Sequence, residues 1–133
     1  MATTPQYLAS RRNASVAVTV ANVNTDGTSG TRATIFTAAT TGSLVESVQI
    51  KSTIAAASTV VADTVRLWVF NGTNAFLLKE VSVPAGGGVI GVANQEFDGI
   101  VALNIALPTG FTLQASSHVA TNGYHVTAMG GDF

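Results

Sequence analysis

The sequence contains no cysteine. That excludes disulfide frameworks and thiolate metal sites, and it fits a chain that folds in a reducing cytosol. Charge is scarce as well. Six Lys and Arg and seven Asp and Glu make up 10% of the 133 residues, with a formal net charge of -1, where an average soluble domain carries about 25%. Nucleic-acid binders carry a basic patch, and so do proteins held on anionic membranes, so neither partner is expected here. No run of about 20 apolar residues exists, so no transmembrane helix is expected. The longest weakly polar stretch, "IAAASTVVA", is short and rich in Ala and Ser. The opening "MATTPQYLASRRNAS" has no apolar segment, so no secretory signal is expected. The glycosylation-like triplets Asn13-Ala14-Ser15 and Asn71-Gly72-Thr73 mean nothing without that route.

Catalytic signatures are missing too. The only histidines are His118 and His125. With Asp132 they could hold a metal if strands 111–116 and 124–129 formed a hairpin, but the spacing matches no ligand pattern. The expectation is two polar, partly exposed strand residues. Glu96 and Asp98 are two apart, which puts two carboxylates on one side of a strand; that spacing is common on any solvated face. "PAGGG" is followed by no Lys-Ser or Lys-Thr, so it reads as a turn or bulge rather than a phosphate loop. No Gly-x-Ser-x-Gly elbow occurs. No catalytic, cofactor-binding or metal residue is therefore expected, and the chain is read as a non-enzyme.

What is abundant is Thr, Val, Ala, Ser and Gly. Thr and Val favour strands because a branched Cβ packs well on a pleated surface. No capped 3.6-residue stripe is visible, and 54–63 is read as loop or strand. Short strands are expected at 15–23, 31–38, 43–53, 64–70, 75–83, 97–106, 111–116 and 124–129. Turn residues separate them: "NTDGTSG", "TTG", "NGTN", "PAGGG", "LPTG" and "TNG". The expected fold is all-β: an antiparallel β-sandwich of jelly-roll type with about eight strands. One domain spans 15–133, and an extended N-terminal arm covers 1–14.

The stretch "VRLWVFNGTNAFLLKEVSV" (65–83) is unusual because a half-buried hairpin should alternate apolar with polar, and this one is apolar on both faces. With a two-residue Asn71-Gly72 turn, Leu67 would oppose Phe76 and Val65 would oppose Leu78 on the core face; a three- or four-residue loop would move these partners. In every register Trp68 and Phe70 lie on the other face, together with Arg66. Something must cover that face. The candidates are the chain itself (the N-terminal arm or the 84–96 loop), a second copy, or another partner. The low charge of the surface favours self-association.

The block "SLVESVQIKST…TVRLWVFNGTNAFLLKEVSVPAG…LPTGFTLQASSH…YHVTAMGGDF", roughly residues 42–133, resembles small all-β virion proteins of tailed bacteriophages and related prophages. The resemblance implies a jelly-roll module of a particle, most often a head decoration or cement protein. Such proteins typically assemble as trimers over gaps between major capsid subunits, and tail-associated roles also occur. The expected partners are then the protein itself and the major capsid protein. The location is the capsid surface of a virion made in the host cytoplasm. A sugar- or receptor-binding tail module is the alternative, with Trp68, Tyr7 and Tyr124 as stacking aromatics if exposed. No cofactor is implied. The interface residues expected from the sequence are Tyr7, Arg11, Arg12, Arg66, Trp68 and Phe70. In the arm, Pro5 removes a ladder donor; either the segment is a frayed, solvated terminus, or Tyr7 anchors it on a neighbour and Arg11 and Arg12 fork onto that neighbour's carboxylates.

Overall fold

The computed structural model describes residues 8–53, 59–87, 98–119 and 123–133. Ten strands run in chain order: β1 (Ser10–Val18), β2 (Ala33–Thr37), β3 (Ser43–Ser52), β4 (Thr59–Val60), β5 (Asp63–Phe70), β6 (Ala75–Val83), β7 (Gly86–Gly87), β8 (Asp98–Leu107), β9 (Thr112–Ser117) and β10 (Tyr124–Asp132). Among the described residues there is no helix. Eight strands form two four-stranded antiparallel sheets, a front sheet ordered β1-β10-β3-β8 and a back sheet ordered β2-β9-β5-β6; β4 and β7 pair separately. The chain is thus a β-sandwich, as the spacing of strand and turn signals predicts.

The core lies between the sheets and follows the period-2 alternation of each strand. Val45, Val48 and Ile50 from β3, and Val126 and Ala128 from β10, face Val65, Leu67, Leu113 and Ala115 of the back sheet. Tyr124 and Phe36 fill the interior as its large aromatics. Seven of the eight long strands start and end close to the positions read from the sequence.

The first strand differs. The expected arm over 1–14 is corrected at its end, because Ser10–Ala14 belong to β1, which pairs with β10 from Ser10 opposite Asp132 to Val18 opposite Tyr124. The physical reason is β10: it runs to Asp132 and offers a ladder partner that extends past the β-branched stretch "SVAVTV". Residues 1–7 lie outside the described residues. The segment "PAGGG" also differs from a simple turn, since Gly86 and Gly87 pair with Val60 and Thr59.

The paired glycines of "AMGGDF" have a packing reason. At Gly130 the register of β10 against β3 shifts. A Cβ there would press into the backbone of Leu44, and one on Gly131 into the backbone of Ser10. The neighbouring strands approach too closely for any side chain.

The β5–β6 hairpin closes with four residues. Phe70 pairs with Ala75, and the Asn71 side chain accepts from the N–H groups of Thr73 (2.9 Å) and Asn74 (2.7 Å), an Asx-type turn. A bulge at Leu78 then shifts the register, so Leu67 opposes Lys79 and Val65 opposes Val81. The pairing of Leu67 with Phe76 and of Val65 with Leu78 is therefore corrected. Phe76, Leu77 and Leu78 are instead exposed, at 56%, 40% and 39%, because β6 is the edge of the back sheet.

Candidate functional site

The outer face of the back sheet carries Arg66, Trp68 and Phe70 from β5, next to Gln114 and Ser116 of β9. Among the described residues its cover is the chain itself, through a segment not expected for that task; 1–7 and 88–96, parts of the two segments that were expected, lie outside the described residues. Residues 19–32, the connection from β1 to β2, cross the face as a strap. Ala21 bridges Ser117, and the Asn22 N–H donates to the Ser117 carbonyl at 2.8 Å. Asn22 is buried and its side chain ties the strap to itself, donating to the Thr31 carbonyl and accepting from the Asn24 N–H. At the strap's tip Gly27 has φ +76 and lies so close to β6 that a Cβ would press into the Ala75 carbonyl. Arg32 then returns over the sheet: its Nε donates to Gln114 Oε1 at 3.0 Å and its Nη1 to the Gly27 carbonyl. Its guanidinium stands 5.7 Å from the Trp68 ring centroid, within reach of a cation–π contact.

Trp68 is completely buried under this strap, and its indole N–H donates to Ser116 Oγ at 2.9 Å. Arg66 is 5% exposed. It donates to Glu80 Oε1 at 2.9 Å and to the Asn22 carbonyl at 3.3 Å, and it meets His118 Nδ1 at 3.3 Å. A buried guanidinium needs such a set of acceptors to offset its desolvation. Phe70 is half-buried at the hairpin end. Arg66 and Trp68 are therefore corrected from interface residues to residues buried within the chain.

The arginines of the expected arm are also used internally. Arg11 pairs with Glu46 at 3.2 Å in an open setting, where such a pair contributes little. Arg12 is better placed. It donates from Nε to both oxygens of Asp132 (3.0 and 2.9 Å) and from Nη2 to the Thr37 carbonyl (2.6 Å), and it stacks over the Phe36 ring at 3.8 Å. Ser43 adds a donor to Asp132 at 2.6 Å. The bonds from Arg12, then that from Ser43, hold the Asp132 carboxyl below its usual range. The expected fork onto a neighbour's carboxylate is a fork onto the chain's own last strand. Tyr7 lies outside the described residues.

The metal trio does not assemble. His118 lies just past β9 at the back sheet and His125 on β10 of the front sheet; the hairpin that the trio would require does not form. Asp132 is committed to Arg12. Among the described residues no group of three His, Cys, Asp or Glu side chains is placed to hold an ion. Glu96 lies outside the described residues, and Asp98 accepts from Gln49 at 3.2 Å.

One buried polar cluster had no signal in the sequence. Asp63 accepts from the N–H groups of Thr64 (2.7 Å) and Val119 (3.0 Å) and from the Tyr124 hydroxyl (2.8 Å). It clips the start of β5 to the β9–β10 connection. Tyr124, a candidate stacking aromatic, is fully buried by that role.

The outer face of the front sheet is open and finely textured. Its rows read Ala17, His125, Lys51, Asp98; then Ser15, Thr127, Gln49, Ile100; then Asn13, Met129, Ser47, Ala102. A shallow cavity of about 270 Å³ lies where this face meets β1, lined by Ser15, Val16, Ala17, His125 and Thr127. Comparison of the chain with protein-family models, curated proteins and solved structures gives no match.

Proposed function

We propose that the sandwich is a jelly roll and that the chain is a structural protein of a tailed-bacteriophage virion: a non-catalytic decoration, or cement, protein that binds the assembled shell through the major capsid protein and stabilises it. The strand order carries this reading. Numbering the eight long strands one to eight, the pairs are one with eight, two with seven, three with six and four with five. These four pairs each sum to nine, the pattern left when one long hairpin is rolled up, and the other two, three with eight and four with seven, join them into two sheets with two Greek keys. That is the module the sequence resemblance implies.

The surface chemistry supports it. Arg11, Arg12, Arg32 and Arg66 are all bonded within the chain, so binding would run through small, uncharged and apolar groups. A ligand that binds only the assembled lattice stabilises it by mass action, and many identical modest contacts add up multivalently. Self-association belongs to this reading, with a trimer implied by the resemblance. The carbohydrate-binding tail module is less favoured, because Trp68 and Tyr124 are buried.

The test is to locate and count this protein in purified particles by quantitative mass spectrometry, and to melt shells with and without it. Shell-wide copies in icosahedral multiples, with a raised shell melting temperature, are expected. A few copies at one vertex would select the tail reading, and absence from any particle would refute both.

A further inference from the structure

Four strands stand at the edges of the two sheets: β1 and β8 in the front sheet, β2 and β6 in the back. An edge strand offers unpaired N–H and C=O groups to any other strand, and proteins guard such edges with bulges, Lys, Pro or short length. Three of the four are guarded here. β2 has five residues and a register shift around Ile35. β6 has the bulge at Leu78, with Lys79 beside it and Pro84 just beyond its end. β8 loses register between Ala102 and Ile105, where Asn104 has φ 49. β1 has none of these, and its only charges, Arg11 and Arg12, stand at its start. Its nine residues pair with β10 without interruption, and the strand contains neither Lys nor Pro. Among the described residues no strand pairs with its other side.

The side chains along β1 agree. Its inward residues Ala14 and Val16 belong with the core yet are only half-buried. The larger cavity, lined by Ser15, Val16 and Ala17 with His125 and Thr127, lies over β1 and β10 on the outer face, and a smaller one of about 50 Å³ lies at the end of β1 beside Val18 and Val20. Val20 is 52% exposed. From Asn13 to Val18 every residue is small or β-branched and uncharged, so no side chain of this stretch keeps a second backbone at a distance.

We propose that β1 is a self-pairing edge, and that its occupant is the β1 strand of a second copy, antiparallel about a twofold axis at Ser15. Parity fixes the register: only pairings that set even positions against even keep Ala14 and Val16 toward both cores. Centred on Ser15, Ala14 faces the second copy's Val16, and the two front sheets become one eight-stranded sheet. Charge fixes the direction. A parallel pairing would set Arg11 and Arg12 against their own copies. The antiparallel one places the two Arg11 residues about 26 Å apart along the strands, beyond the screening length of roughly 8 Å. Area agrees as well. Centred on Ser15, residues 12–18 of the two β1 strands overlap over about 23 Å, and β2 beside them, with sheets spaced roughly 10 Å, makes a wall about 20 Å wide. Two such walls bury about 900 Å² in total, the size of a weak, reversible interface. The inference rests on the self-association in the proposed function, not on its setting in a particle, and it replaces the threefold species with a twofold one.

The experiment uses full-length protein at micromolar concentration, with size-exclusion chromatography and light scattering. Unmodified protein is expected at twice the chain mass of 13.5 kDa. Ser15 is exposed, and at the axis it meets its own copy, so Ser15→Lys and Ser15→Glu each set like charges face to face and should weaken the dimer at least about tenfold. Mixing the two variants should restore a two-chain species. In unmodified protein, amide exchange of residues 13–18 should slow as concentration rises. Variants that keep the parent mass, a mixture that stays monomeric, or exchange independent of concentration would overturn the β1 pairing while leaving self-association standing. A three-chain mass would overturn the twofold in favour of the trimer, and a monomeric parent would overturn both.

Discussion

The two sheets treat their outer faces in opposite ways. The back sheet turns Arg66 and Trp68 outward and then hides them beneath residues 19–32. The front sheet turns Ser15, Thr127, Gln49, Asn13 and Ser47 outward and leaves them in water. The difference is one of size and desolvation. A tryptophan in water leaves a large apolar area exposed, so the back sheet gains from a cover even at the cost of ordering a long connection. Short hydroxyl and amide side chains already satisfy one another and solvent, as Ser15 and Thr127 do at 2.8 Å, so a cover would gain nothing.

The contrast can be broken most severely at its centre. Trp68→Ala removes the side chain that the strap and β9 enclose and leaves the Ser116 hydroxyl unpaired; a loss of about 3–5 kcal/mol is expected from denaturant unfolding. Wild-type-like stability would mean that the strap closes over the space by itself. A lesser break lies at the strap's tip. Gly27→Ala forces a Cβ toward the Ala75 carbonyl at a positive φ, costing about 1–3 kcal/mol. Because Trp68 is the only tryptophan, its fluorescence should shift to the red and become open to quenchers while the front sheet stays folded. A buried emission spectrum in this variant would contradict the placement of the strap.

Smaller again is the acid response of Asp132, which is partly in water. Its carboxyl is held below the ordinary range, first by Arg12 and then by Ser43, so the ionised form stabilises the folded chain. That contribution is complete above the unfolded value near 4 and is lost as pH falls through the lowered folded value. Asp132→Asn should therefore be less stable than the parent at neutral pH, with the gap narrowing in acid below about pH 4. A gap that does not change with pH would show that the pair contributes nothing through charge. Least affected is the open front face: Gln49→Ala should stay within about 0.5 kcal/mol of the parent. A large loss there would mean that this face is covered in the unmodified protein.

Strand positions were legible because period-2 apolar runs between Gly, Asn and Pro signals are local. The doubly apolar character of 64–70 was legible for the same reason, and it correctly posed the question of a cover. The answer was not legible. "NTDGTSG" reads as a turn, and only tertiary contacts (Asn22 to Ser117, Gly27 to Ala75) make it a strap. Arg11 and Arg12 looked available because their acceptors, Glu46 and Asp132, are distant in sequence. The hairpin register failed at Leu78, since a bulge moves partners without altering the apolar pattern. Asp63 with Tyr124 left no trace, because a buried carboxylate needs donors that converge from separate strands.

The pairing of β1 with β10 also sets the timing of folding. The first long strand of the chain finds its ladder partner only in the last, Ser10 opposite Asp132. During synthesis the front sheet cannot close until β10 has left the ribosome, so β1 waits with both sides open while the strands of the back sheet are already out. Folding dominated by such distant pairings is slow. A nascent chain arrested before Tyr124 should remain protease-sensitive throughout β1, however long it is held.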